Sequence, residues 1–522
     1  MNLSKKYESV DREISKKITD ELLLWIRDFF KTRVNSRWID ERRCIPPHIV
    51  LEFAKKGLFG FHIEKKHGGL ALNASDWIRL IGQLGALDAT ISQLVAINAL
   101  SIRPIMSYGS EEQKSKYLED LAKGNTLCAF AQTEDRAGTN FTHLRTTSAF
   151  NQSQNEWTIN GDKMWIGNAG WSGMMVIISK ATDESNTDLG LNSFLAFTDA
   201  PGIELGVELN TLGLRGVVQN KIRLNNLKIH HSMLLGNQGE GMQVAVDAMS
   251  FTRLVISAQQ IGLMKRAVLI AHDFVTKREV STGKLIENPV AINILSECIA
   301  RILVIEKFLN IIAVSFDKNE EIAPEISSIC KVLSTEFAGY VTDKTLQLLG
   351  GRGYEENNVI PQLVRDTRVT RIFEGPSEAL LCFVGSRIKV DGGKKIFSTL
   401  FDPNSIDDVT SEIIEKIAES DSYAYEFDIS DKQKEFWKEY KSGVIGSWAI
   451  LKLTANASDD FNEDILAWLD SGYAEMPRFV QGDCFLSADF IDSTIRKFIQ
   501  EVGFDKQLSP SLNWEADELL NV

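Results

Sequence analysis

The stretch that decides the fold is WTINGDKMW, residues 157–165. Apolar and polar residues alternate along it, and Asn160-Gly161 interrupts the alternation with a pair that is typical of tight hairpin turns. The pattern predicts two strands joined by a turn. Two further strands are predicted, from the apolar run at 194–197 and the alternating pattern at 221–224. We therefore predict a small antiparallel, barrel-like β domain over residues 128–237.

Helical patterns lie on both sides of this β region. On the N-terminal side, Ser110 and Gln113 have the spacing of a capping box, and Gly124 fits the C-terminal stop of the helix that they begin. On the C-terminal side, long runs have the apolar spacing of helices, as expected of a helical bundle. These runs lie at 242–275, 290–315 and 325–349.

The chain is therefore predicted to be mainly α with a central β domain. Its 522 residues, 44% of them hydrophobic, suffice for a large core divided among three or four domains. The predicted parts are an N-terminal helical domain, the middle β domain, a C-terminal four-helix bundle and an acidic helical extension, at 1–127, 128–237, 238–390 and 391–522. Helical spacing within the extension is clearest at 411–418 and 489–499.

Charge is distributed unevenly along the chain. Residues 391–522 carry a formal charge of −15, whereas residues 1–390 carry +1. No basic stripe is available to neutralise phosphates, which argues against nucleic-acid binding. The acidic extension also argues against tethering to anionic lipid through a basic helix in that region.

Cysteine usage and hydropathy suggest a cytoplasmic protein. The six cysteines lie far apart without a CxxC pair, which argues against a zinc site and for reduced thiols, most of them in the core. No uninterrupted apolar run has the length of a membrane span, and the first twenty residues mix acids with bases, unlike a transit peptide. We therefore expect no bound metal, no membrane span and a cytoplasmic location.

One acid stands out in RIFEGPSE, residues 371–378. Glu374 lies between an apolar pair and Gly375-Pro376, which suits a base in a water-poor pocket, where desolvation raises the pKa of a carboxyl group. The alternative is an acid at a helix start, because Glu374 and Glu378 precede an apolar run and acids are favoured there. The octapeptide alone leaves both interpretations open.

The order of helical domain, β domain and helical bundle, together with five motifs, resembles the acyl-CoA dehydrogenase family of flavoproteins over about residues 15–390. The first motif is FAQTEDRAGTN, residues 130–140. The resemblance implies contacts with FAD from Phe130, Gln132, Thr133, Gly138 and Thr139, and contact with the substrate from Thr139. Residues 134–136 alone are typical of a polar surface loop, and Asp135-Arg136 stands where the family usually has Pro-Gly.

The second motif is NGDKMWIGNA, residues 160–169, and it resembles the hairpin beside the flavin ring. The resemblance implies that Trp165, Ile166 and Gly167 contact FAD. Gly167 replaces the family's usual hydroxyl residue, which suggests altered redox tuning or a different re-oxidation partner. The third motif, Leu212–Gly216, resembles a structural turn of the β domain.

The fourth group of motifs concerns the cofactor's diphosphate. Arg253 matches a family arginine near the substrate pocket, and Arg278 matches one that binds the FAD pyrophosphate across a subunit interface, a role suited to forked guanidinium donors. QLLGGRGY, residues 347–354, matches a phosphate-binding helix end. The resemblance implies cofactor contacts from Gln347, Gly350 and Gly351.

The fifth motif is the octapeptide, in which Glu374 matches the family's catalytic base. In the family this base removes the α-proton of an acyl thioester, the flavin takes the β-hydrogen as hydride, and a trans-2-enoyl thioester forms. The thioester oxygen is bound by the base's own backbone N–H and by a flavin hydroxyl. The resemblance also implies that Gly375 contacts substrate and that Pro376 and Glu378 lie near the cofactor, with Pro376 in place of the usual Thr.

The resulting hypothesis is FAD-dependent α,β-dehydrogenation of an acyl thioester, carried on CoA or on an acyl-carrier protein. The expected partners are an electron-transfer flavoprotein or another acceptor, and a second copy of the chain in a homodimer or homotetramer. Two alternatives remain open. One is a flavin oxidase or monooxygenase on the same fold, and the other is a non-catalytic relative. The acidic extension is expected to pack on the core.

Overall fold

The structure is a computed structural model that describes residues 8–183, 185, 187–422, 430–458, 460–481 and 493–497. Six helices form its N-terminal part: α1 (Arg12–Arg33), α2 (Ser36–Arg42), α3 (Pro47–Lys55), α4 (Ala74–Leu87), α5 (Ala89–Tyr108) and α6 (Glu111–Ala122). The predicted capping box at the start of α6 is confirmed, since Gln113 N donates to Ser110 Oγ at 3.1 Å and Ser110 N to Gln113 Oε1 at 2.8 Å. Gly124, at φ 67°, follows the end of this helix as predicted.

Seven strands form one curled sheet: β1 (Cys128–Ala131), β2 (Thr147–Asn151), β3 (Glu156–Gly167), β4 (Met174–Thr182), β5 (Asp188–Phe197), β6 (Ile203–Glu208) and β7 (Gln219–His230). The strand order is β1-β4-β2-β3-β7-β6, with β5 paired to β4. Most pairs are antiparallel, as predicted, but β4 runs parallel to both β1 and β2. A separate core of this sheet is centred on the fully buried Trp157.

The predicted turn at Asn160-Gly161 is wrong, because β3 runs through both residues. The ladder between β3 and β7 has a register shift between Ile159 and Gly161, which makes this site a bulge. Gly161 is required because a Cβ there would lie 2.7 Å from Thr146 Cα. Asn160 accepts a hydrogen bond from the backbone N–H of Asn226 at 2.7 Å instead of turning the chain.

Four long helices build the C-terminal bundle: α7 (Gly241–Lys277), α8 (Pro289–Asp317), α9 (Pro324–Leu349) and α12 (Ser377–Asp391). A two-stranded hairpin, β8 (Glu279–Val280) and β9 (Gly283–Lys284), follows α7, and α10 (Gly351–Tyr354) and α11 (Ile360–Arg368) lie between α9 and α12. Helices α5 and α7 are long and apolar enough to cross a membrane, but most of each is buried, as in core helices of soluble proteins.

Helix α7 also joins the bundle to the N-terminal helices. A Cβ on Gly262 of α7 would lie 1.8 Å from the carbonyl oxygen of Gly82 in α4, so the two backbones touch. Such close approach is possible only where both helices lack side chains. The N-terminal helices and the bundle therefore share one core, which lies beside the sheet.

Most described residues of the extension are helical, in α13 (Lys394–Phe397), α14 (Pro403–Ser422), α15 (Asp431–Asn456) and α16 (Glu463–Gln481). Helix α15 packs tightly along α12, since a Cβ on Gly385 would lie 1.7 Å from Glu439 O. The predicted helix at 411–418 lies within α14. Residues 493–497 of the predicted helix 489–499 are helical, and the remainder lies outside the described residues.

The described cysteines support a core role for three of them. Cys128, Cys298 and Cys330 are buried, Cys382 is half-buried and Cys44 is exposed. Burial raises the pKa of each of the three buried thiols to about 12, so these residues behave as small apolar side chains. Cys484 lies outside the described residues.

Candidate active site

The loop that carries Glu374 has an unusual backbone. Glu374 has a φ of 56° and Gly375 a φ of 94°, so two successive residues lie in the left-handed region. That region costs a non-glycine residue conformational energy and is often occupied at functional sites. A Cβ on Gly375 would also lie 2.8 Å from Leu380 Cδ2, which leaves glycine as the residue that fits.

The two acids of the octapeptide lie in different structures, one in a helix and the other in the loop before it. Helix α12 begins at Ser377, and Glu378 lies in its first turn, where an acid complements the helix dipole. Glu374 precedes the helix by three residues and makes no cap. The helix-start interpretation therefore applies to Glu378 and not to Glu374.

Glu374 is a carboxyl group in a desolvated position. Burial raises the pKa of Glu374 to about 7, although the positive charges of Arg253 and Lys331 oppose the rise. Its Oε2 atom is buried and accepts no hydrogen bond from any residue that the structure describes. A buried, unpartnered carboxylate oxygen is costly in a folded protein and marks a position where a ligand is expected.

Arg253 comes to this loop from the middle of α7. Its Nε donates to the backbone carbonyl of Glu374 at 3.1 Å, and its Nη1 donates to Ser328 Oγ at 3.1 Å. The side chain is buried, with 7% of its surface exposed. Arg253 therefore contacts the backbone of Glu374 directly.

Lys331 and Glu336 of α9 also hold this loop, and the sequence analysis missed both. Lys331 Nζ donates to the Gly375 carbonyl at 2.7 Å. Glu336 accepts a hydrogen bond from Ser377 Oγ at 2.6 Å and pairs with Arg371 at 3.3 Å, so it ties both ends of the loop. One signal was available in the sequence, since Lys331 is the one charged residue in the stretch 326–335, which is otherwise apolar or small.

The first motif lies at the end of β1. Phe130 and Gln132 are buried, and Gln132 Oε1 accepts no hydrogen bond from the residues that the structure describes. Thr133 accepts a hydrogen bond from Met164 N at 2.9 Å, which places the first motif against the second. Gly138 and Thr139 are exposed, with open space around the position of a Cβ at 138.

The expectation of a polar surface loop at residues 134–136 is wrong for Glu134. Asp135 and Arg136 are exposed as expected, but Glu134 is buried and forms a 2.9 Å ion pair with the fully buried Lys163. Burial alone would raise the pKa of Glu134, yet the charge of Lys163 and hydrogen bonds from neighbouring donors hold this pKa below its ordinary value. The pair joins the β1 loop to β3.

The second motif includes the end of β3 and a second bulge between Lys163 and Ile166. Trp165 has a φ of 56° and an unusually exposed indole, with 45% of its surface accessible. Ile166 is buried. A Cβ on Gly167 would lie 2.6 Å from Ile97 Cδ1 of α5, so Ile97 fills the space that a larger residue at 167 would need.

The residues that the resemblance assigns to the diphosphate lie on the surface. Arg278 is exposed at the C-terminus of α7, and Gln347 is exposed in the last turn of α9. Gly350 and Gly351 have open space where side chains would stand, and Gly350 has a φ of 59°. The described residues show no contact between this group and the Glu374 loop.

The third motif is packed as a structural turn. A Cβ on Gly213 would lie 2.2 Å from Arg365 O, and Leu214 N donates to Asp366 Oδ1 at 2.6 Å. Burial raises the pKa of Asp366 to about 7. The turn thus fixes the β domain against α11.

The predicted residues form two neighbourhoods that fit a flavin cofactor. One contains Arg253 and the Glu374 loop, and the other contains the ends of β1 and β3. An exposed indole, an unpartnered buried amide oxygen at Gln132 and open glycine backbone at 350–351 are suitable surroundings for a large aromatic group with a diphosphate.

Three protein-family descriptions match successive parts of the chain. "Acyl-CoA dehydrogenase, N-terminal domain" matches residues 19–125, "Acyl-CoA dehydrogenase, middle domain" matches residues 129–227, and "Acyl-CoA dehydrogenase, C-terminal domain" matches residues 239–389. Together these matches extend over more than half of the chain and leave the extension unmatched.

Individual proteins agree with these matches. The chain is 28% identical over 341 residues to acryloyl-CoA reductase (NADH) of Anaerotignum propionicum, covering 65% of this chain and 86% of the reductase. It is 26% identical over 400 residues to the mitochondrial very long-chain specific acyl-CoA dehydrogenase of Rattus norvegicus, covering 75% of this chain and 60% of that enzyme. The fold is similar to that of butyryl-CoA dehydrogenase from Megasphaera elsdenii, with a TM-score of 0.67, 24% identity, and coverage of 73% and 99% of the two chains.

Proposed function

Since the chain belongs to the acyl-CoA dehydrogenase family, a family of FAD-dependent oxidoreductases acting on CH–CH groups, we propose that it dehydrogenates an acyl thioester between Cα and Cβ. The observation that carries the proposal is the Glu374 carboxyl group, whose buried Oε2 has no partner among the described residues and whose pKa lies at about 7. A carboxyl group with a pKa near the working pH is suited to general base catalysis.

In this proposal Glu374 breaks the Cα–H bond and keeps the proton on a carboxylate oxygen. The backbone N–H of Glu374 donates to no acceptor in the part of the chain that the structure describes, so it is available to the thioester carbonyl oxygen as negative charge develops there. The residues at the ends of β1 and β3 would hold FAD, which would supply the acceptor for the β-hydrogen, so that loss of this hydrogen as hydride gives the trans-2-enoyl thioester. Arg253 orients Glu374 by donating a hydrogen bond to the backbone carbonyl of Glu374.

The pH dependence follows from the pKa of Glu374. Burial raises this pKa from its ordinary value to about 7, and the group acts as a base only when ionised. We therefore expect kcat/KM to fall about tenfold per pH unit below about pH 7 and to level off above it. Steady-state rates between pH 5.5 and 8.5 measure the profile. A rate that stays constant from pH 5.5 to 7 would contradict the role of Glu374.

We propose that FAD lies against the ends of β1 and β3. Its contacts would be Phe130, Gln132, Thr133, Gly138, Thr139, Trp165, Ile166, Gly167, Pro376 and Glu378. Arg278, Gln347, Gly350 and Gly351 would bind the diphosphate, and their exposure on the surface is consistent with a site completed by a second copy of the chain in a homodimer or homotetramer. Thr139, Arg253 and Gly375 would lie along the substrate.

An anaerobic titration tests the substrate class. The purified protein, loaded with FAD, is titrated with butyryl-CoA, palmitoyl-CoA and the same acyl groups on an acyl-carrier protein. We expect at least one of these thioesters to bleach the flavin absorbance. Bleaching by the carrier-bound forms alone would identify a carrier-dependent enzyme, and no bleaching by any of the four would contradict the proposed function.

A second candidate function is a flavin oxidase, and the pair Gly167 and Ile97 favours it. Glycine at 167 lacks the hydroxyl group that the family usually has at this position. The hydrocarbon side chain of Ile97 lies beside Gly167 instead. Hydrogen bonds near the flavin ring tune its reactivity. Re-oxidation of the bleached flavin by air within the turnover time, with release of peroxide, would favour the oxidase, whereas slow re-oxidation would favour transfer to an electron-transfer flavoprotein.

The cytoplasmic location remains a proposal. It rests on the dispersed cysteines, of which three are buried as thiols. Fractionation of cells that express the tagged chain measures the location directly.

A further inference from the structure

The Glu374 loop is held by two buried cations from different helices. Arg253 of α7 donates to the Glu374 carbonyl at 3.1 Å, and Lys331 of α9 donates to the Gly375 carbonyl at 2.7 Å. The two acceptors belong to the two residues with left-handed backbone, at φ 56° and 94°. A left-handed glutamate persists only where its surroundings fix it. These two hydrogen bonds therefore act where the backbone is strained.

We propose that Lys331 is a positioning residue for the catalytic base: its ammonium group fixes the Gly375 carbonyl and favours the ionised form of Glu374. The inference rests on the proposed function of Glu374. Lys331 itself touches no substrate in this proposal. Lys331 acts on Glu374 through its hydrogen bond to the loop backbone and through the positive charge of its ammonium group.

Four charged residues act on the Lys331 ammonium group. Arg253 carries a positive charge, and Glu374, Glu336 and Glu378 carry carboxyl groups. Burial, followed by repulsion from Arg253, lowers the pKa of Lys331 to about 7, while the three carboxylates oppose that change. Lys331 and Glu374 therefore have overlapping titration ranges, and a buried ammonium group beside the base stabilises the carboxylate.

Lys441 provides a matched control for burial. It is a buried lysine of α15 whose Nζ donates to the Ser420 carbonyl at 2.7 Å, so it makes the same kind of bond far from the loop in sequence. Lys441→Met should destabilise the fold as Lys331→Met does, without changing Glu374. The comparison separates loss of stability from loss of positioning.

The test measures Glu374 without turnover. A water-soluble carbodiimide modifies protonated carboxyl groups, and mass spectrometry of the tryptic peptide 372–387 reports modification of Glu374 separately from Glu378. In the wild type we expect the midpoint of modification at about pH 7. Lys331→Gln and Lys331→Met should raise it by about one pH unit or more. Lys331→Arg and Lys441→Met should both leave the midpoint of Glu374 modification at its wild-type value.

A second measurement separates the effect of the hydrogen bond to the Gly375 carbonyl from the effect of the positive charge of Lys331. Exchange of the α-proton of butyryl-CoA and palmitoyl-CoA with deuterium requires the base but no electron acceptor. Because Lys331→Gln keeps a donor to the Gly375 carbonyl, we expect it to retain more of the exchange rate at high pH than Lys331→Met, which we expect to lose about tenfold or more.

The outcomes distinguish the two proposals. An unchanged modification midpoint in both Lys331→Gln and Lys331→Met, or an equal shift in Lys441→Met, would overturn the role of Lys331. Absence of α-proton exchange with both thioesters in the wild type would contradict the proposed function, while the modification midpoint still decides whether Lys331 controls the ionisation of Glu374.

Discussion

Glu374→Gln is expected to reduce kcat for dehydrogenation about 10²- to 10⁴-fold, because a positioned general base contributes about that factor. Glutamine keeps the size of the side chain and the backbone of the loop, but it cannot take up the α-proton. The carbonyl bond from Arg253 and the N–H of residue 374 remain available. Substrate binding and FAD content should therefore change little.

The measurement combines flavin absorbance with single-turnover kinetics. The variant should show the wild-type flavin spectrum and bind butyryl-CoA without bleaching. Glu52→Gln is the matched control, because Glu52 is a glutamate of α3 that pairs with Lys55 at the surface. If Glu374→Gln bleaches at more than about a tenth of the wild-type rate, another group is the base.

The sequence was sufficient to predict most of the helices because apolar spacing is local information, whereas the role of Glu374 as the base is a prediction that needed the family resemblance as well as its local motif. The three long bundle helices have continuous apolar spacing, and they lie within α7, α8 and α9 as predicted. Glu374 lies in a short motif whose residues are adjacent in the chain. The family matches confirm the resemblance to the acyl-CoA dehydrogenase family. The domain boundaries and the residue roles stay predictions.

Features that depend on distant packing could not be predicted. Asn160-Gly161 has a local turn signal, but the approach of Thr146 to Gly161 and the bond from Asn226 make it a bulge. Lys331 meets its carbonyl acceptor 44 residues later in the chain. Ile97 opposes Gly167 across 70 positions, and a single sequence gives no sign of either pairing.

A large effect on stability is expected at a buried ion pair between α5 and α7. Arg103 Nε and Nη2 donate to the two carboxylate oxygens of Asp247 at 2.8 and 3.2 Å, and the two residues are 1% and 3% exposed. The Arg103 guanidinium also lies 5.4 Å from the Phe251 ring centroid. Burial, and then the charge of Arg103, lowers the pKa of nearby His62 to about 3, so His62 is neutral at pH 7.

Asp247→Asn should therefore lower the free energy of unfolding by about 3–5 kcal/mol, because it leaves a buried guanidinium without its carboxylate. His62 is neutral at pH 7 and so adds no second positive charge beside the guanidinium. Urea denaturation, followed by circular dichroism, measures the change. Glu41→Gln, which breaks the exposed pair between Arg37 and Glu41 within α2, is the control and should cost less than about 1 kcal/mol.

The double variant Arg103→Met/Asp247→Val decides why the single change is costly. If the loss comes from a stranded charge, apolar side chains at both positions should recover most of the stability, because the desolvation penalty of both ions disappears together. If the double variant is as unstable as Asp247→Asn, the pair contributes through its own hydrogen bonds, and the helices α5 and α7 depend on them. The first result is expected, since Phe251 and the apolar faces of both helices already surround the site.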